Sequence, residues 1–283
     1  MSVATLRLLV SCPDRPGIVA AVSRFLYERG ANVIRSDQYS SDPGGGTFHL
    51  RMEFVLPDEQ RGDLVEAFGL AVAAPYDMTW RIADSRRRKR IAVLVSKADH
   101  CLVDLLWRAG RGLLAGDISL VASNHPDLRA TVEGFGVPFH HVPVPKDGKA
   151  AAEARLADLL EDRCDVAVLA RYMQILSAGF LGKIGVPVIN IHHSFLPSFP
   201  GAAPYERAAA RGVKLIGATA HYVTEDLDEG PIIEQDVIRA THRDDAKALA
   251  RLGADVERTV LGRAVQWHCD DRLLQHGNTV LVF

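Results

Sequence analysis

An amide and an imidazole two residues apart, Asn190 and His192, stand in the string Asn190-Ile191-His192-His193-Ser194-Phe195-Leu196-Pro197. A carboxylate, Asp228, follows in Asp226-Leu227-Asp228-Glu229-Gly230-Pro231. Together the three types can hold a carbonyl oxygen, move a proton and position a nucleophile. Which of these tasks they perform is open on these residues alone. The β-branched run from Val186 to Ile191 reads as a buried strand, and the Pro/Ser/Gly-rich segment from Pro197 to Pro204 cannot extend it. Asn190 and His192 therefore sit where a strand ends, which is where open α/β sheets receive ligands, and the period of two puts both on one face. His193 alternates to the other face and reads as structural.

The elements that must position this set follow a strand-helix alternation. Ile91 to Val95, Ile118 to Ala122, Phe139 to Val142, Val166 to Ala170 and Val188 to Ile191 are predicted strands of a mostly parallel, Rossmann-like sheet with helices on both faces. Ile216 to Val223 and Ile232 to Ile238 resemble strands that can run antiparallel, Ala246 to Trp267 a long helix, and Thr279 to Phe283 a short last strand. Upstream, Leu6 to Val10, a helix from Gly17 to Arg29, strands Asn32 to Tyr39 and Phe48 to Val55, a helix from Leu64 to Val72 and a strand Met78 to Ile82 give β-α-β-β-α-β, the ferredoxin-like plan. The expected division is 1–84, a basic linker at 85–90 holding Arg86 to Arg90, and 91–283. No aromatic residues interleave with those five cations, so they read as a solvated linker rather than a nucleic-acid site.

At 283 residues the chain suits two domains, and a formal net charge of −2 with pI near 6.6 gives no general attraction to nucleic acid or anionic membrane. No apolar run reaches the roughly 20 residues of a membrane span, and the cytoplasm is the expected location. Cys12, Cys101, Cys164 and Cys269 lie far apart, so neither a disulfide framework nor a metal site is expected. The turn after the first strand of the second half, Ser96-Lys97-Ala98-Asp99-His100-Cys101, has no glycine, which argues against NAD and ATP.

Two resemblances add to this. Asp14-Arg15-Pro16-Gly17-Ile18, at the first strand-to-helix turn, is similar to the signature of ACT domains, modules that commonly bind amino acids and associate with one another. That resemblance implies an amino-acid effector near Asp14, Arg15, Gly17 and Ile18, and a homo-oligomer, dimer or tetramer. The string around Asn190 to Pro197, with Gly201, His221 and Asp228 to Pro231 in order, resembles the folate-dependent formyltransferase superfamily. Arg171-Tyr172-Met173-Gln174-Ile175-Leu176 matches that family's folate-contacting segment. With the ACT-like module in front, the whole chain resembles the formyltetrahydrofolate deformylase family. The resemblance implies hydrolysis of 10-formyltetrahydrofolate to tetrahydrofolate and formate, which supplies formate for purine biosynthesis. Asn190 and His192 would stabilise the oxyanion, and Asp228 would position or deprotonate water. Arg171, Met173, Gln174, Ile175, Leu176, Gly201 and His221 would bind substrate; the folate is substrate, and no cofactor is expected. The competing readings are formyl transfer to an amine and a non-enzymatic amino-acid sensor.

Overall fold

The computed structural model describes residues 4–197 and 204–283, and these form two compact units. The first holds the described residues up to Arg87 together with Asp271–Leu274 and Val282–Phe283; the second holds Arg88–Asp270 and Gln275–Leu281.

In the first unit the elements are β1 (Leu6–Pro13), α1 (Ile18–Glu28), β2 (Asn32–Ser40), β3 (Thr47–Val55), α2 (Leu64–Phe68) and β4 (Thr79–Asp84). The strands make an antiparallel sheet in the order β2-β3-β1-β4, the ferredoxin-like arrangement that the sequence predicts. Helix α1 buries Ile18, Val22, Phe25 and Leu26, spaced for one helical face. Phe25 meets Phe68 edge-on at 5.4 Å, and Phe68 meets Trp80 at 4.7 Å. The helix expected from Leu64 to Val72 keeps α geometry only to Phe68, then widens into a π turn over Gly69–Ala73. A Cβ at Gly69 would press on Trp80 at 3.3 Å, so the missing side chain lets that ring lie against the turn.

In the stretch 85–90 Arg86, Arg87, Arg88 and Arg90 are exposed, as expected of a solvated run, and three of them also meet carboxylates. Arg86 binds Asp84 and Asp58, Arg88 binds Asp117 and the carbonyls of Leu114 and Gly116, and Arg90 binds Asp165. A strand already begins at Lys89. Asp84 is a near neighbour of Arg86, but Asp58, Asp117 and Asp165 come from distant positions, which a local charge count does not anticipate. Nor does the chain's end stay with the second unit: Asp271, buried, takes Arg7 at 3.3 Å and Arg81 on its carboxylate, while its carbonyl accepts from Arg51 Nε at 2.8 Å.

The chain continues with β5 (Lys89–Val95), α3 (His100–Gly110), β6 (Gly116–Ser123), α4 (Arg129–Gly134), β7 (Phe139–His141), α5 (Lys149–Leu160), β8 (Val166–Leu169), α6 (Ala178–Ile184), β9 (Val188–His192), α7 (Pro204–Arg211), β10 (Leu215–Tyr222), β11 (Ile232–Arg239) and α8 (Ala246–Cys269), all in the second unit, then β12 (Leu273–His276) and β13 (Thr279–Val282), whose residues are divided between the two. Sheet order is β12-β13-β11-β10-β9-β8-β5-β6-β7. Pairing is parallel from β7 through β9 and antiparallel across β9-β10-β11, as expected for the later strands. The central strands are buried on both faces, as Ile91–Val95 and Val166–Leu169 show. Strand β12 is an element the sequence pattern did not suggest. All four cysteines are buried.

Candidate active site

Three neighbouring strand ends bring the polar set together. In the parallel β8-β9 pair Leu169 lies beside Asn190, and in the antiparallel β9-β10 pair Asn190 lies opposite His221 and His192 opposite Thr219. Asn190 Nδ2 is 3.2 Å from His221 Nε2. An amide nitrogen only donates, and His221 Nδ1 lies 2.9 Å from the Tyr222 carbonyl, which only accepts. The neutral ring thus carries its hydrogen on Nδ1 and accepts from Asn190, which fixes the orientation of that amide. Asp228 reaches His192 Nδ1 with Oδ2 at 3.2 Å and stands 3.7 Å from His221 Nε2 through Oδ1. The contact to His192 holds the Asp228 carboxyl well below the usual carboxylate range despite burial. His192 is 6% exposed, and its Nε2 has no protein partner.

Local sequence explains how each group is held. Thr219, fully buried on β10, donates to the Ser194 carbonyl and accepts from Leu196 N, while Gln235 Nε2 binds both Thr219 Oγ1 and the Leu196 carbonyl. That lattice fixes the chain leaving His192. Asp228 has a left-handed backbone, φ 58°, which Asp tolerates better than most residues. Beside it, a Cβ on Gly230 would fall 1.8 Å from the Tyr222 carbonyl oxygen, so only glycine lets the turn close on β10. A cleft of about 620 Å³ opens at Asp228, lined among others by Leu196, Leu227, Ile232 and Thr279.

Comparison with known proteins settles the family. Residues 89–265 match the formyl transferase family and residues 6–67 the ACT domain. A formyltetrahydrofolate deformylase from Mycobacterium bovis is 57% identical over 98% of this chain and 90% of its own length, and one from Bacillus subtilis is 54% identical over 98% and 93%. The chain belongs to the formyltetrahydrofolate deformylases. The crystal structure of such a deformylase from Pseudomonas syringae superposes with a TM-score of 0.94 at 47% identity, covering 100% of this chain and 95% of that one. A glycinamide ribonucleotide transformylase from Symbiobacterium toebii reaches a TM-score of 0.66 at 30% identity over 69% of this chain and 94% of its own.

Within this deformylase frame the other expected residues fall in several places. Met173 and Ile175 leave the end of β8 with 59% and 60% of their surfaces exposed, and Gln174 turns its amide back to the Met173 carbonyl. Leu176 packs partly into the core beside Tyr172. Gly201 lies outside the described residues. In the ACT domain Asp14 accepts from Ser40 and its N–H binds the Gly46 carbonyl, while Arg15 lies over the Tyr76 ring at 4.6 Å. Gly17 is left-handed at φ 95°, with the Tyr76 hydroxyl 2.9 Å from where a Cβ would be. Ile18 differs from the other three, because its side chain is given over to the core.

A buried carboxylate, Glu257 on α8, was absent from the expected set. Tyr205 donates to it at 2.6 Å, His100 Nε2 lies 2.8 Å away and Arg171 Nη1 3.5 Å away. Cys101 stands close enough for His100, Cys101 and Glu257 to form a possible metal-ligand group, but two of the three are already engaged with each other. Its signal in the sequence is an acid inside the apolar stripe Gly253, Glu257, Leu261, Ala264 of a long helix.

Proposed function

We propose that the chain hydrolyses 10-formyltetrahydrofolate to tetrahydrofolate and formate. The observation that carries this reading is the Asp228–His192 pair, whose outer imidazole nitrogen is buried and unpartnered, in a chain related to deformylases along nearly its whole length. With Nδ1 turned to Asp228, His192 offers Nε2 to the substrate. It takes a proton from water as the oxygen attacks the formyl carbon, and returns that proton to N10 as the C–N bond breaks. Asn190 keeps one amide hydrogen for the developing oxyanion while the other goes to His221. A carboxylate held so far below its usual range is a weak proton acceptor, so Asp228 orients His192 and the water instead of acting as the base.

Met173, Ile175, Phe195 and Leu227 are large, exposed and apolar on the loops that carry the polar set, and a flat pterin ring suits them. Arg171, Gln174, Leu176 and His221 complete this substrate wall, and the folate is consumed rather than resident. Residues 1–84 act as a regulatory and assembly domain, and the catalytic one runs from 91 onward except for the terminal residues that fold with the first unit. An amino-acid effector binds near Asp14, Arg15 and Gly17, and the chain works as a homo-oligomer in the cytoplasm, feeding formate to purine synthesis. Among the described residues no helix is long and apolar enough to cross a membrane.

The purified chain given 10-formyltetrahydrofolate and no amine should release formate and tetrahydrofolate in equal amounts. Formate that appears only after an amine is added would make it a transferase, and no turnover under either condition would make it a binding protein. Isothermal titration with glycine and methionine tests the effector, heat of binding being expected for one of them.

A further inference from the structure

The Glu257 cluster lies one layer behind His192. From the catalytic imidazole the contacts run through His193, whose ring is 5.2 Å from that of His192, to Tyr205 at 6.1 Å, then to Glu257 and on to Arg171. Sheet register reaches the same place by a shorter route. Leu169 pairs with Asn190, so Arg171, two residues past the first, comes off its strand level with His192, two residues past the second.

Arg171 is an unusual choice for its position. Its backbone is left-handed, φ 61°, where glycine or asparagine is at ease and a long side chain is strained. The chain nonetheless places a guanidinium there, 16% exposed, and anchors it at Glu257, which is 1% exposed. The backbone carbonyl of Arg171 also accepts from Ser96 N, and Ser96 Oγ accepts from Met173 N, so the segment is clamped on its other side too. Arg171 Nε and Nη1 are both buried without a hydrogen-bond partner, so the guanidinium meets Glu257 as an ion pair only. Burial first, then the charges of Arg171 and His192, push the His193 imidazole down to about 4, so it stays neutral between them. Glu257 stays ionised: burial opposes this, but the His100 bond, the Arg171 charge and the Tyr205 bond outweigh it.

We propose that Arg171 is the specificity-determining residue for the acceptor, a fixed cation that fills the acceptor side of the formyl site and turns away amines while admitting water. This rests on the hydrolytic reading above. An aliphatic amine near neutral pH is mostly ammonium, which a permanently charged guanidinium repels, and its added bulk meets a side chain buried against Glu257. Water carries neither charge nor bulk. The glycinamide ribonucleotide transformylase that shares this sheet shows that the scaffold by itself does not select the acceptor.

The test is product partition. Parent, Arg171→Gly, Arg171→Asn, Arg171→Lys and Glu257→Gln proteins are given 10-formyltetrahydrofolate with increasing glycinamide or methylamine, and formate and N-formyl products are measured by mass spectrometry. Glycine and asparagine both suit the left-handed backbone, and Glu257→Gln leaves that backbone untouched. The parent and the Lys variant should give formate alone. The Gly and Asn variants should hydrolyse about tenfold more slowly and yield N-formyl product in proportion to the amine; Glu257→Gln should yield less of it, but more than the parent. Loss of hydrolysis with no amine product in any neutral variant would overturn the proposal, as would variants indistinguishable from the parent. A parent that releases no formate without amine defeats the hydrolytic reading itself, a result visible before any variant is compared.

Discussion

Asp228 combines a left-handed backbone with a carboxylate whose two oxygens face two imidazoles. Asp228→Asn keeps the shape and the backbone tolerance but removes the charge that orients His192, so kcat should fall by roughly 100-fold or more with the fold intact by circular dichroism. His193 allows a pH test. Its folded value is lowered from 6.5 to about 4, so the unfolded chain binds the proton more readily, and the resulting stability is full above about pH 6.5 and lost as pH falls toward about 4. Urea midpoints across that window should decline less steeply for His193→Gln than for the parent. At this scale Asn190, His192 and Asp228 were legible, since a period of two and short motifs expose residues at strand ends. Glu257 was not: its partners His100 and Tyr205 lie 157 and 52 residues away, and only folding collects them.

Among the elements, the turn after Asp228 is the most demanding. A Cβ on Gly230 would collide with the Tyr222 carbonyl, an atom of β10 that cannot step aside. Gly230→Ala should therefore displace Asp228 and lower kcat by about tenfold or more, with a loss of roughly 1–3 kcal/mol in denaturant unfolding. The strands of the second unit were readable as buried β-branched runs, and the order of the first unit from its turns. What sequence patterns missed are features set by distant atoms: the helix that widens after Phe68 beneath Trp80, the short β12, and a basic run paired with Asp58, Asp117 and Asp165.

For the whole molecule, the chain's end returns to its beginning. Asp271 is buried among residues of β1, β3 and β4 in the first unit, with Arg7 and Arg81 on its carboxylate. Removing one partner of a buried pair strands the other charges, so Asp271→Ala should cost the first unit about 3 kcal/mol, seen as a lowered calorimetric transition. A boundary drawn from local composition could not place thirteen terminal residues in two units, because the contacts that assign them span nearly the full chain. The central claim concerns chemistry, and isotope labelling reaches it most directly. In a single turnover of 10-formyltetrahydrofolate in ¹⁸O-labelled water without amine, each formate released should carry one labelled oxygen. Unlabelled formate, or no formate at all, would contradict attack by water at this site.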